Sequence, residues 1–119
     1  MFQIALVDDS VILRSAIRNV LDSSGYNVLF EAGNSADLFE KLQEKTPDLL
    51  LLDVFFPTEN GLDMLVRLKK QYPSVKVLVV TGLKQASIAE EAKRLGAAGI
   101  LYKPFDTDDL LQAVKQVQN

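Results

Sequence analysis

Cysteine and histidine are both absent from the 119 residues, and so is tryptophan. Without cysteine there are no disulfides, no thiolate-bound metals and no thiol nucleophile. Without histidine, the serine–histidine–aspartate and cysteine–histidine machineries are closed, as are imidazole metal sites. Any chemistry has to run on carboxylates, hydroxyls, lysines and backbone groups. Basic blocks are lacking too. Against 16 Asp and Glu stand 13 Lys and Arg, a net charge of −3, so no nucleic-acid partner is expected. The longest apolar runs, such as Leu49 to Leu52 and Val77 to Val80, are far too short to span a bilayer, and no membrane partner is expected. Met1-Phe2-Gln3 carries no positive charge from side chains, and Asp8-Asp9 breaks the early apolar stretch. A signal peptide is therefore not expected, and the location expected is the cytoplasm.

What is present suits one folded domain over residues 1–119. Apolar residues make up 48% and charged residues 24%, which is ordinary for a globular chain and argues against disorder. A chain of this size buries roughly two-thirds of its unfolded surface, enough for a core without staples. Short apolar runs alternate with amphipathic segments. Ile4–Val7, Val28–Ala32, Leu49–Leu52, Val75–Val80 and Gly99–Tyr102 read as strands, the continuous runs being those of strands buried on both faces. Between them lie helical stripes. Val11, Leu13, Ile17, Val20 and Leu21 form the first, stopped by Gly25. Leu38, Phe39 and Leu42 follow Ser35 as N-cap, and Leu62, Leu65, Val66 and Leu68 follow Asn60. Ser87 and Glu90 read as a capping box before Gly96. Leu110, Leu111, Val114 and Val117 follow Asp106. Five strands alternate with five helices. The fold predicted is α/β, a doubly wound (βα)5 three-layer sandwich on a parallel sheet, with right-handed crossovers.

Such folds bind ligands at the carboxyl ends of their strands, near a switch in strand order. Asp8 and Asp9 stand at the end of the first run, Asp53 at the third, Thr81 at the fourth and Lys103 at the fifth. Each has an ordinary alternative. Asp53 can start a turn, Asp8-Asp9 can cap a helix, Thr81 can be a plain strand residue, and Lys103 can be a solvated charge. All five falling at one edge points to chemistry. Three close carboxylates repel unless a cation neutralises them. An all-oxygen set suits a hard divalent ion, Mg²⁺ above all, which completes its octahedron with water and phosphate oxygens. A lysine and a hydroxyl are phosphate ligands. A carboxylate in such a site can itself be the nucleophile and become an aspartyl phosphate.

The chain resembles the receiver domain of two-component response regulators over nearly its full length. The resemblance rests on Val7-Asp8-Asp9-Ser10, on Asp53 followed by Phe56-Pro57 and Gly61, and on Thr81-Gly82, Gly96-Ala97 and Lys103-Pro104-Phe105. It implies the strand order 2-1-3-4-5. It implies that Asp53 accepts a phosphoryl group from a phosphohistidine on a histidine kinase or histidine phosphotransfer protein. Mg²⁺ would be bound by Asp9 directly and Asp8 largely through water, with Asp53 and the backbone carbonyl of Phe55 as further ligands. Lys103 would pair with the phosphoryl oxygens, Thr81 would swing in to hydrogen-bond them, and Gly82 would leave room. The Lys103–Pro104 bond would be cis. Such a domain is a phosphoacceptor switch rather than an enzyme proper, with weak self-catalysed phosphotransfer and autodephosphorylation. Its output would be binding to a downstream protein target, with a homodimer on activation as a further expectation.

The sequence also departs from the family pattern. Three residues before the lysine stands Ile100, where the family usually has the aromatic ring of its switch, and Tyr102 lies next to the lysine instead. Phe55 and Leu83 are apolar at the two places expected to flank the approach of water to the acyl phosphate. They predict a long-lived phosphoryl group, although Phe55 also reads as a simple loop anchor. Three other functions fit less well. An aspartate-nucleophile phosphatase needs a second acid two residues after the nucleophile, and Phe55 is there. A pseudo-receiver would not keep all five polar residues. A flavin carrier would meet repulsion from Asp8-Asp9 at its phosphate loop.

Overall fold

The computed structural model describes residues 1–82 and 84–119. The elements run β1 (Gln3–Val7), α1 (Val11–Ser23), β2 (Asn27–Ala32), α2 (Ser35–Glu44), β3 (Leu49–Asp53), α3 (Gly61–Gln71), β4 (Lys76–Gly82), α4 (Ala86–Arg94), β5 (Gly99–Lys103) and α5 (Thr107–Gln118). The five strands form one parallel sheet of order β2-β1-β3-β4-β5. The alternation read from the sequence is the alternation observed.

Strand β3 shows why. Leu49 to Leu52 are all buried, which a central strand achieves only with helices on both faces. Successive side chains then go to opposite layers. Leu50 and Leu52 join Ala5, Val7, Val77 and Val79 in a core under α2, α3 and α4. Leu49 and Leu51 join Ile4, Leu6, Leu78, Val80 and Leu101 in a second core under α1 and α5. The apolar faces of the helices fit these layers, with Leu38, Leu42, Leu65 and Leu68 on one side and Leu21, Leu110 and Val114 on the other.

Helix boundaries agree in part. Gly25 and Gly96 follow the ends of α1 and α4 with φ of 85° and 107°, backbone that favours glycine. Asn60 caps α3 through the N–H of Leu62, and Asp106 forms a capping box with Asp109 at α5. Two expected caps are corrected. The cap of α2 is Asn34, whose side chain accepts from the N–H of Asp37. Ser35 is already inside the helix, because Glu59 takes both its N–H, at 3.0 Å, and its hydroxyl. The box of Ser87 and Glu90 does not form. Helix α4 starts at Ala86, so Ser87 lies one residue too far in, and the cap position is Gln85, which makes no capping bond. Val75 also drops out of its strand: its N–H closes a turn onto the carbonyl of Tyr72.

Chain direction across the sheet reverses between β1 and β3. Helix α1 leaves β1 toward one face and α3 follows β3 on the other. The two connections diverge above the carboxyl ends of these strands, which opens a crevice there.

Candidate functional site

Asp53 closes β3, Thr81 and Gly82 close β4, and Lys103 closes β5. Each is the last or next-to-last residue of its strand, so the sheet itself sets its position. Asp8 directly follows β1, where its N–H still donates to the carbonyl of Ala32 at 3.1 Å. Asp8 and Asp53 are 5% and 6% exposed, and Thr81 is 1% exposed. Asp9 is exposed. One carboxylate oxygen from each of Asp8, Asp9 and Asp53 lies within 4.8 Å of the others.

The polar groups around Asp53 fix its orientation. Oδ1 accepts from the N–H of Phe55 at 2.8 Å. Oδ2 accepts from Nζ of Lys103 at 2.8 Å, an ion pair in which the aspartate is buried and the lysine side chain 37% exposed. Asp8 is held on one side by the N–H of Ser10, which donates to Oδ1 at 2.8 Å. Burial pushes the Asp8 carboxyl up to about 6 from 3.8. The nearby Asp53 carboxylate adds to this rise, while the Ser10 N–H and Lys103 oppose it. The cluster thus stores like-charge repulsion that one ammonium does not fully relieve.

The donor set is oxygen throughout, with two carboxylates buried and one open to solvent. That composition fits a hard divalent cation, which takes carboxylates from one side and water or phosphate oxygens from the other. The loop beyond Asp53 supports the arrangement. Phe55 pairs with Asn60 in an isolated antiparallel bridge, and the N–H of Gly61 donates to the carbonyl of Val54 at 3.0 Å. A Cβ on Gly61 would lie 2.3 Å from the Cα of Val54, so only glycine lets α3 begin this close to the loop. The Lys103–Pro104 bond is cis, as the family resemblance implies.

The structure gathers Asp8, Asp9, Asp53 and Lys103 here, the N–H of Phe55 joins them through Asp53, and Thr81 lies near the end of the neighbouring strand β4. The Phe55 side chain is 47% exposed, so it is no buried loop anchor. Leu83 lies outside the described residues. Ile100 is half-buried against the α2–α4 core, paired with Val79, and Tyr102 stands opposite Thr81 in the register. Sequence reasoning missed Gln85, whose Oε1 accepts from the Thr81 hydroxyl at 3.2 Å and from the N–H of Gly82 at 3.0 Å. It also missed Arg14, which donates to the backbone carbonyl of Asp8 and to Glu31 at 3.1 Å. Neither carries a local sequence signal, since both bonds depend on how two segments meet. A groove of about 690 Å³ between α1 and α5 reaches Lys103 and Pro104. Its lining is mainly apolar, and the acids converge outside it.

A family model described as the response regulator receiver domain matches residues 4–115. The chain is similar to the chemotaxis protein CheY of Listeria monocytogenes, with 31% identity over 98% of each chain. It is similar to the sporulation initiation phosphotransferase F of Bacillus subtilis, with 32% identity over 96% of this chain and 91% of the relative. Among solved structures, the receiver domain of NtrX from Brucella abortus matches with a TM-score of 0.90 at 28% identity, covering 96% of each chain.

Proposed function

The chain belongs to the response regulator receiver domain family of two-component signalling, and we propose on that premise that Asp53 is its phosphoacceptor. The observation that carries this reading is the buried Asp53 carboxylate, held by Lys103 at 2.8 Å and gathered with Asp8 and Asp9 within 4.8 Å. In the reaction, an Asp53 oxygen attacks the phosphorus of a phosphohistidine. The O–P bond forms, the P–N bond breaks, and the imidazole nitrogen leaves with the bonding pair and takes up a proton. Asp53 needs no general base, because it reacts as the carboxylate.

Asp8, Asp9, Asp53 and the carbonyl of Phe55 would hold Mg²⁺. That ion, when bound, neutralises charge on the carboxylates and the phosphoryl oxygens. Lys103 trades its contact with Asp53 for one with a phosphoryl oxygen, and the Thr81 hydroxyl donates to another. The same groups support slow self-catalysed phosphotransfer from small donors. Hydrolysis of the product needs a water in line with the O–P bond, and the Phe55 side chain cannot orient one by hydrogen bonding. The donor is a histidine kinase or histidine phosphotransfer protein in the cytoplasm. Val11 and Ile12, at the start of α1 just after the acid pair, are exposed apolar side chains suited to meeting it. Residues 1–119 act as one receiver domain whose output is binding, to a downstream protein or to a second copy.

The test is incubation with Mg²⁺ and acetyl phosphate, followed by intact mass. The parent should gain one phosphoryl group that is lost in acid and base, and Asp53→Asn should gain none. A full-strength adduct on Asp53→Asn overturns the assignment.

A further inference from the structure

Thr81 is 1% exposed, and its hydroxyl has already spent its one proton. It donates to Oε1 of Gln85 at 3.2 Å. The same oxygen accepts from the N–H of Gly82 at 3.0 Å, and the Gln85 N–H returns a bond to the Gly82 carbonyl at 3.1 Å. The Gln85 side chain therefore closes over the end of β4. It does so at the expense of α4. Gln85 occupies the N-cap position of that helix yet makes no side-chain capping bond. Its backbone carbonyl meanwhile accepts from the N–H groups of Ile88 and Ala89, at 3.0 and 3.2 Å. One residue thus receives the Thr81 hydroxyl and anchors the first turn of α4.

We infer that Gln85 is a positioning residue for the phosphoryl switch: it holds the Thr81 hydroxyl in the resting protein and competes with the phosphoryl group for its proton. The inference rests on the proposed role of Thr81. A hydroxyl has a single proton to donate, so Thr81 cannot serve Gln85 and a phosphoryl oxygen together. Phosphorylation has to break the bond to Gln85. The resting state is favoured by that bond, and a ligand shifts such an equilibrium only by its differential affinity for the two states. Because Gln85 also starts α4, the exchange is felt at the first turn of that helix. The coupling is local, running from strand end to helix start through one side chain.

The probe is beryllofluoride with Mg²⁺, a non-covalent phosphoryl mimic, titrated against the folded chain and followed by backbone amide NMR. Gln85→Ala and Gln85→Met both remove the strong acceptor, and Met keeps the bulk. Both should bind beryllofluoride roughly fivefold tighter than the parent, the factor one net hydrogen bond is worth. Their Ile88 and Ala89 amides should move less on binding. In a Thr81→Val background, where no proton is contested, the same substitutions should leave affinity unchanged. Non-additivity of this kind is not produced by a merely structural Gln85. Parent-like or weaker affinity in both Gln85 variants overturns the inference, as does equal tightening in both backgrounds. If Thr81→Val alone binds beryllofluoride as tightly as the parent, the role given to Thr81 fails, and the inference fails with it. If Thr81→Val weakens binding while the Gln85 variants match the parent, the inference alone fails.

Discussion

Asp8 is buried, negatively disposed and next to another carboxylate, and its acidity records all three conditions. Its pKa in the native protein, about 6, stands above the ordinary 3.8. Between these values the native state holds a proton that the unfolded chain has released. Stability without metal should therefore fall as pH rises from about 4 to about 6, by on the order of 3 kcal/mol. Asp8→Asn keeps an acceptor for the Ser10 N–H and removes the charge. Urea unfolding in EDTA should show this variant nearly level with the parent at pH 4 and clearly more stable at pH 7. A parent whose stability is flat across this window would refute the electrostatic reading of the cluster. Phe55 poses the opposite case, an apolar side chain in a polar place. With 47% of its surface exposed, it is free to cover the approach to Asp53. Phe55→Asn supplies a group that can orient water, and the phosphorylated protein should decay roughly threefold to tenfold faster. Decay of the radiolabelled adduct measures this directly, and an unchanged rate removes Phe55 from the water path.

At the scale of elements, the site depends on how helices and loops meet. Helix α3 begins against the loop that holds Phe55, and the Gly61 Cα faces the Val54 backbone. Gly61→Ala would bring a Cβ within 2.3 to 2.8 Å of three backbone atoms of Val54. Backbone cannot yield as a flexible side chain can, so a loss of about 2 to 3 kcal/mol is expected, read as a lower melting temperature. Phosphorylation by acetyl phosphate should slow as well, because the same loop carries the N–H that orients Asp53. The start of α2 gives a sharper comparison. Asn34→Ala removes the cap and should cost about 1 kcal/mol, measured by denaturant unfolding. The sequence suggests Ser35 as the cap, and the structure puts Asn34 in that place. Glu59, 24 residues away, decides between them by engaging Ser35. The capping box expected at Ser87 failed for a related reason: α4 starts a residue before Ser87, and the residue at its cap position, Gln85, faces β4.

For the whole molecule, the controlling quantity is ligand linkage. Three carboxylates gathered at one edge destabilise the metal-free fold and offer a site that the unfolded chain lacks. Mg²⁺ at about ten times its dissociation constant should stabilise the protein by about 1.4 kcal/mol, a rise of several degrees in melting temperature for a chain this size. Asp9→Ala should abolish the rise. An equal rise in that variant would mean that the ion stabilises from elsewhere. Activation should also reach the molecule unevenly. Ile100 is packed against the α2–α4 core and has no ring to turn. Beryllofluoride should therefore change the β4–α4 connection more than the Ile100 side chain. Structures with and without the mimic test this, and a large rotamer change at Ile100 would contradict it.

The sequence by itself determined the layer plan and the inventory of the site. Continuous apolar runs such as Leu49–Leu52 admit little but a strand covered on both faces. The helical stripes between them supply the covers. The absence of cysteine and histidine left carboxylates, a hydroxyl and a lysine as the chemistry, and their places at strand ends put them on one edge. These are local or periodic properties, and a linear sequence displays them. Tertiary structure decided which neighbours those groups have. The 2.8 Å pair of Lys103 with Asp53 joins residues 50 apart in the chain. The engagement of Ser35 by Glu59 and of the Asp8 carbonyl by Arg14 likewise depends on segments brought together by folding. The capture of Thr81 by Gln85 spans only four residues, yet it turns on where α4 begins relative to the end of β4. Hydrogen bonds and desolvation act over a few ångströms, and distances on that scale exist only once the sheet has set its register.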